Sequence, residues 1–168
     1  MHNQELLSVD EDVLDTVPLE RLEEEISGFA SRIASATATW LLWIAAYDRR
    51  KGWASWGVKS CAHWLNWQCA MSPRTAREHV SVARTLERTP VLRQTFLDGE
   101  LSFSKVRSIC RVVVPENEEE LVRIAKLSTA SQLDRIVAKM PTNTPDDADS
   151  NPLDVTFNAS GDLSLIHI

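Results

Sequence analysis

The side chains best placed to do chemistry in this sequence are cations and hydroxyls at helical spacing. In the run MSPRTAREHVSVAR, Arg74, Thr75, Arg77, Ser81 and Arg84 follow closely on a helix-start signal, and Arg88 extends the basic run. Guanidinium forks match phosphate oxygens and base edges, and hydroxyls donate to phosphate, so such a helix has the chemistry to hold a nucleic acid. A second set, Ser102, Ser104, Lys105, Arg107 and Arg111, joins another helix start to positive side chains, again a phosphate-holding combination. A structural reading competes with both. Short joints between helices are common in all-α domains, and arginine stems often cover apolar surface.

Catalytic chemistry is much less well supplied. His2, His63 and His79 stand in no pattern with a nucleophile, a paired carboxylate or a metal ligand, and no glycine-rich phosphate loop or H-E-x-x-H helix occurs. The chain is therefore expected to contain no catalytic, cofactor or metal site. Cys61, Cys69 and Cys110 are odd in number and form no C-x-x-C pair, so they read as three buried thiols, not as a disulfide framework or a zinc site.

Net charge, -6 over 168 residues, speaks against a polyanion partner until it is divided along the chain. Residues 1–30 hold nine acidic side chains and one basic, whereas residues 49–111 hold twelve basic and four acidic; residues 112–168 are acidic again, with ten against four. A middle segment at +8 inside an acidic protein is the electrostatic footprint expected for a polyanion, though charge does not say which one. The longest apolar stretch, ATWLLWIAAY, is too short to span a bilayer, and no secretory leader is recognisable, so a cytoplasmic protein with no membrane contact is expected.

The elements that must position these side chains are helical. Leu19, Leu22, Ile26, Phe29, Ile33, Ala36, Trp40, Trp43 and Tyr47 recur at alternating spacings of three and four, the apolar seam of one long helix behind Pro18. The same alternation is coiled-coil spacing, so the helix from Leu19 to Tyr47 is open to two uses, packing on its own domain or pairing in a homodimer. Gly52 and Gly57 flank WASW and end it; Ser60 then caps a second helix, on which Trp64 and Trp67 share a face. The tryptophans read as core rather than as base-stacking platforms. Ser72-Pro73 starts a third helix running to about Arg88, and the short joint before it gives a helix-turn-helix-like pair. Shorter helices follow in VLRQTFLDGELS, KVRSICRVVV, ENEEELVRIAKL and SQLDRIVAKM. The fold class expected is all-α: a multi-helix domain over residues 18–140 after an acidic, disordered tail at 1–17, then a linker at 141–152 and the start of a β segment at 153–162.

The run WLNWQCAMSPRTAREHVSVARTLERTPVLRQTFLDGELSFSKVRSICRVVVPENEEELVRIAKLSTASQLDRIV resembles the domain of unknown function numbered 222, of the actinobacterial and mycobacterial 13E12 repeat family, above all in SPRTAR, DGELSFSKVR and PENE. The resemblance covers roughly residues 19–140. It implies a helical region that ordinarily precedes an HNH endonuclease module, a histidine- and divalent-metal-dependent nuclease. Two departures stand out. The helix-turn joint carries Asn66 and Ala70 where such sequences tend to have alanine and glycine, and no HNH module follows. The closing LSLIHI, residues 163–168, looks like a translated transposon-end adapter, which implies a non-native tail on a truncated chain and leaves His167 without functional weight.

Two functions are therefore open at the level of sequence. One is a DNA-associating N-terminal domain of an HNH endonuclease-like protein, contacting double-stranded DNA through Arg74, Thr75, Arg77, Ser81, Arg84, Lys105, Arg107 and Arg111. The other is a structural or dimerisation scaffold with no direct DNA contact.

Overall fold

A computed structural model describes residues 14–143, and among these the secondary structure is seven α-helices and one short 3-10 turn, with no strand. The β start, the closing tail and residues 1–13 of the expected acidic tail lie outside the described residues, whereas Val17 closes a turn back onto the Leu14 carbonyl just ahead of the first helix. The long helix α1 spans Leu19–Arg49, entered from Pro18 in extended conformation. The 3-10 turn Gly52–Trp56 leads to α2, Cys61–Gln68, where the Ser60 hydroxyl accepts the His63 backbone N–H. Helix α3, Pro73–Arg88, starts as its sequence dictates: the Ser72 hydroxyl accepts the Thr75 N–H, and proline sits where no intrahelical donor is needed.

Helices α4 (Pro90–Leu97), α5 (Phe103–Cys110), α6 (Glu118–Leu127) and α7 (Ala130–Val137) complete the body. Ser102 caps α5, and Thr129 with Gln132 forms a reciprocal capping box on α7. Helix α1 lies along α3 and α4, α2 closes one end against α3, and α5 sits between α3 and α7. The core is aliphatic. Leu41, Leu65, Leu86, Leu92, Phe96, Leu101, Ile109, Leu121 and Leu133 are fully buried, each side chain worth about 2 kcal/mol of transfer free energy. Gly99, at φ +75°, lets the turn after α4 touch α1, and the Ser31 hydroxyl donates to its carbonyl. A Cβ there would stand 2.6 Å from the Ser31 carbonyl oxygen.

The periodicity of α1 predicts the helix, but most of that seam is not the face that packs on the body; only its end, at Trp40 and Tyr47, meets other helices. The buried stripe is Ala34, Ala38, Leu41, Ile44 and Ala45, whereas Leu19, Ile26, Ile33 and Trp43 are 73%, 68%, 63% and 74% exposed. Small residues let α3 approach α1 closely, so the alanines take the inside and the bulkier seam is left outside. The tryptophans divide in the same way. Trp64 meets Tyr47 at 4.6 Å with the rings tilted, beside the core, while Trp67 is exposed and meets Trp56 edge-on at 5.8 Å. The cysteines also depart from expectation: Cys61 is buried and Cys110 half-buried, but Cys69, past the end of α2, is exposed. No helix among the described residues is long and apolar enough to cross a membrane.

A candidate nucleic-acid interface

The two basic sets, far apart in sequence, meet in space. A cleft of about 560 Å³ between α3 and α5 is lined by Arg74, Glu78 and Ser81 on one side and Arg107, Ser108 and Arg111 on the other, with Asp134 of α7 and Asn143 at its edge. Arg74, Glu78 and Ser81 recur at spacings of four and three, so one face of α3 presents them together. Arg107 and Arg111 face them from one turn of α5 and its end.

Pairing decides which of these cations is available to a ligand. Arg107 lies 3.4 Å from Glu78 across the cleft, and the Ser108 hydroxyl donates to the Asp134 carboxylate. Both acidic groups of the cleft are thus engaged. Arg74 and Arg111 are exposed and have no acidic partner among the described residues, so the cleft keeps two uncommitted guanidinium groups beside a third that is shared.

The remaining candidate residues fall into distinct places. Arg77 is exposed on α3, likewise without an acidic partner among the described residues, but outside the cleft lining. Thr75 belongs to the helix cap, its hydroxyl 2.7 Å from that of Ser72. Arg84 pairs with Asp48 of α1 at 2.7 Å. Lys105 donates to the Ala125 carbonyl at 2.8 Å, satisfying an otherwise orphaned acceptor near the end of α6. Arg84 and Lys105 thus hold helices together, and Thr75 closes the start of its own. Arg88 borders a neighbouring cavity of about 310 Å³ with Thr85, Cys110 and Asn143. Burial pushes the Cys110 thiol up to about 12, against the opposing pull of Arg88.

Asn66 and Ala70 shape the joint that aims α3. The Asn66 amide donates to the Met71 carbonyl, and Ala70 sits at φ +52°, the left-handed region that favours glycine. His79, on the face of α3 toward α1, donates from Nδ1 to the Thr75 carbonyl at 2.8 Å, and its ring stacks on Phe103. It is a packing residue. Sequence reasoning missed Ser108, Asp134 and Asn143. Asn143 is held back onto the body by its own N–H donating to the Arg111 carbonyl and its amide donating to Val113, both at 2.8 Å, and only the tertiary fold brings it to the cleft.

Residues 20–148, most of the chain and the whole of this cleft, match the family described as Domain of unknown function (DUF222). The chain belongs to the DUF222 family. Compared with the curated proteins and with the solved structures, it matches none. The SPRTAR and DGELSFSKVR segments of this DUF222 domain are thus the two walls of its basic cleft: the first supplies Arg74, the second Arg107.

Proposed function

We propose that this DUF222 domain binds double-stranded DNA, with the cleft between α3 and α5 seated on the phosphate backbone and α3 as the second helix of a helix-turn-helix-like pair. The observation that carries the reading is the convergence of Arg74, Arg107 and Arg111 from two separate helices on one cleft whose carboxylates are already engaged. Arg77 extends the same basic surface along α3. The partition of charge supports it, since the +8 segment 49–111 contains all four arginines.

The resemblance to proteins in which such a domain precedes an HNH module supports a role in positioning DNA for a nuclease, with cleavage belonging to that module. Among the described residues no three His, Cys, Asp or Glu side chains meet in a way that could hold a metal ion, so they do not fit the divalent metal of HNH chemistry.

The test is a titration of the 168-residue chain with duplex DNA across a salt series. Neutralising about three phosphates gives a slope of log affinity on log salt near -2.7. Absence of binding at about 50 mM salt, or binding with no salt dependence, overturns the reading and leaves a scaffold.

A further inference from the structure

The N-terminal part of α1 projects an apolar face that its own domain does not cover. None of its residues from Leu19 to Ile33 is buried, and Leu19, Ile26 and Ile33 are each more than 60% exposed along one line, with Phe29 beside them. The body sits on the opposite side of the helix, where Ser31, Ala34 and Ala38 make contact. A helix of this length without tertiary support is marginal in water, so the face calls for a partner.

We propose that the partner is a second copy of the chain, joined as an antiparallel two-fold pair through residues 19–36 of α1. The alternating spacing puts Leu19, Ile26 and Ile33 at the a positions of a heptad and Leu22, Phe29 and Ala36 at d. In antiparallel pairing, a residues of one helix meet d residues of the other. Layers form from Leu19 with Ala36 of the second copy, Leu22 with Ile33, and Ile26 with Phe29, each occurring twice by symmetry.

Charge selects this direction. Flanking the seam, Glu25 and Arg32 both occupy g positions, and g faces g in an antiparallel pair. The register that aligns the apolar layers also sets Glu25 of one copy against Arg32 of the other, again twice. In a parallel pair, g faces e five residues further on, and Glu25 and Arg32 would meet Ala30 and Thr37, neither of which carries a charge. Both side chains stand on the surface beside the seam, where Glu25 pairs with Arg21 at 2.8 Å, and Arg32 lies 3.7 Å from Glu25 and over the Phe29 ring at 4.2 Å. Pairing exchanges an intrachain contact for an interchain one. It also carries two basic clefts on one particle, although the pairing does not depend on DNA contact and is measured without DNA.

Sedimentation of the full chain over about 5–100 µM should show a reversible dimer, an affinity range usual for a short, partly exposed helix pair. Glu25→Arg or Arg32→Glu alone should raise the dissociation constant about tenfold, and the two together should restore it to within about threefold. Circular dichroism of each variant separates a lost interface from a lost helix. In a Cys69→Ser background, Leu19→Cys combined with Ala36→Cys should close an interchain disulfide, and Leu19→Cys alone should not. A monomer at 100 µM, a failure of the double charge reversal to rescue, or cross-linking of Leu19→Cys to itself overturns the proposal.

Discussion

The Glu118 carboxylate accepts the backbone N–H of Leu92 at 2.8 Å, across 26 residues of chain and inside the core. Leu92 is the third residue of α4, so its N–H is one of the donors that a helix leaves unpaired at its start. The residue ahead of that helix, Thr89, does not cap it, because its hydroxyl donates back to the Thr85 carbonyl. Glu118 supplies the missing acceptor from α6, and a carboxylate there also complements the positive end of the α4 dipole. The acidic run ENEEE thus does more than favour its own helix start.

Glu118→Ala should therefore lower unfolding free energy by about 1–3 kcal/mol, since it leaves a buried donor unpaired. Glu118→Gln keeps an acceptor oxygen and should lose clearly less. Urea unfolding followed by circular dichroism measures both, and equal losses would show that the hydrogen bond at Leu92 contributes nothing of its own.

Ala70→Gly should stabilise the domain. Alanine at φ +52° carries a left-handed backbone penalty of about 1–2 kcal/mol, while glycine adds about 0.5–1 kcal/mol of chain entropy to the unfolded state, leaving a gain of about 0.5–1 kcal/mol. A fall in thermal midpoint would mean that the joint between α2 and α3 is not held in this conformation in solution.

Within the DNA reading, Arg74→Ala and Arg111→Ala should each weaken duplex binding by about threefold to tenfold and shorten the salt slope by about 0.9, with little change in stability. Lys105→Ala should do the reverse, costing about 1 kcal/mol of stability through the lost bond to Ala125 while leaving the salt slope unchanged. The outcome that counts against the cleft is a Lys105→Ala protein that is fully folded yet as defective in binding as Arg111→Ala.

Cys69 should be the fast thiol, with Cys110 slow by comparison and Cys61 shut in the core. With its pKa pushed from 9.0 to about 12 by burial, Cys110 stays protonated in the folded protein while an unfolded chain already ionises, so unfolded molecules bind fewer protons between those values. Its contribution to stability is complete below about pH 9 and declines as pH rises toward about 12. Thiol labelling at pH 8 should modify Cys69 first, and Cys110→Ser should flatten the alkaline limb of the stability profile. Rapid labelling of Cys110 in folded protein would contradict its burial.

Much of this architecture is legible in local sequence because capping is a local interaction. Ser60 and Ser72 with Pro73 each announce a helix by what their side chains can bond three residues on, and the structure places those bonds there; for α5 the sequence allows Ser102 or Ser104, and the structure uses Ser102. Thr129 and Gln132 carry an equally local capping box that the reading passed over in favour of the apolar run after it. The candidate site was half legible. The types and spacing of Arg74, Ser81, Arg107 and Arg111 are visible in the sequence, but not that Arg84 is taken by Asp48 or Lys105 by Ala125, since those partners lie 36 and 20 residues away.

By itself the sequence determined the all-helical class, the length of α1 and the places where most helices start, because propensity, period and capping act over a few residues. Tertiary structure alone decided which stripe of α1 faces inward. Both stripes have helical period, and the body packs on the Ala34, Ala38, Leu41, Ile44, Ala45 stripe, whose alanines leave room for the neighbouring helices while Leu41 and Ile44 fill the core, so Leu19, Ile26 and Ile33 are left at the surface. The same packing decided which cations of the two basic helices stay uncommitted, because Arg84, Arg107 and Lys105 are taken by Asp48, Glu78 and Ala125, all brought from distant parts of the chain.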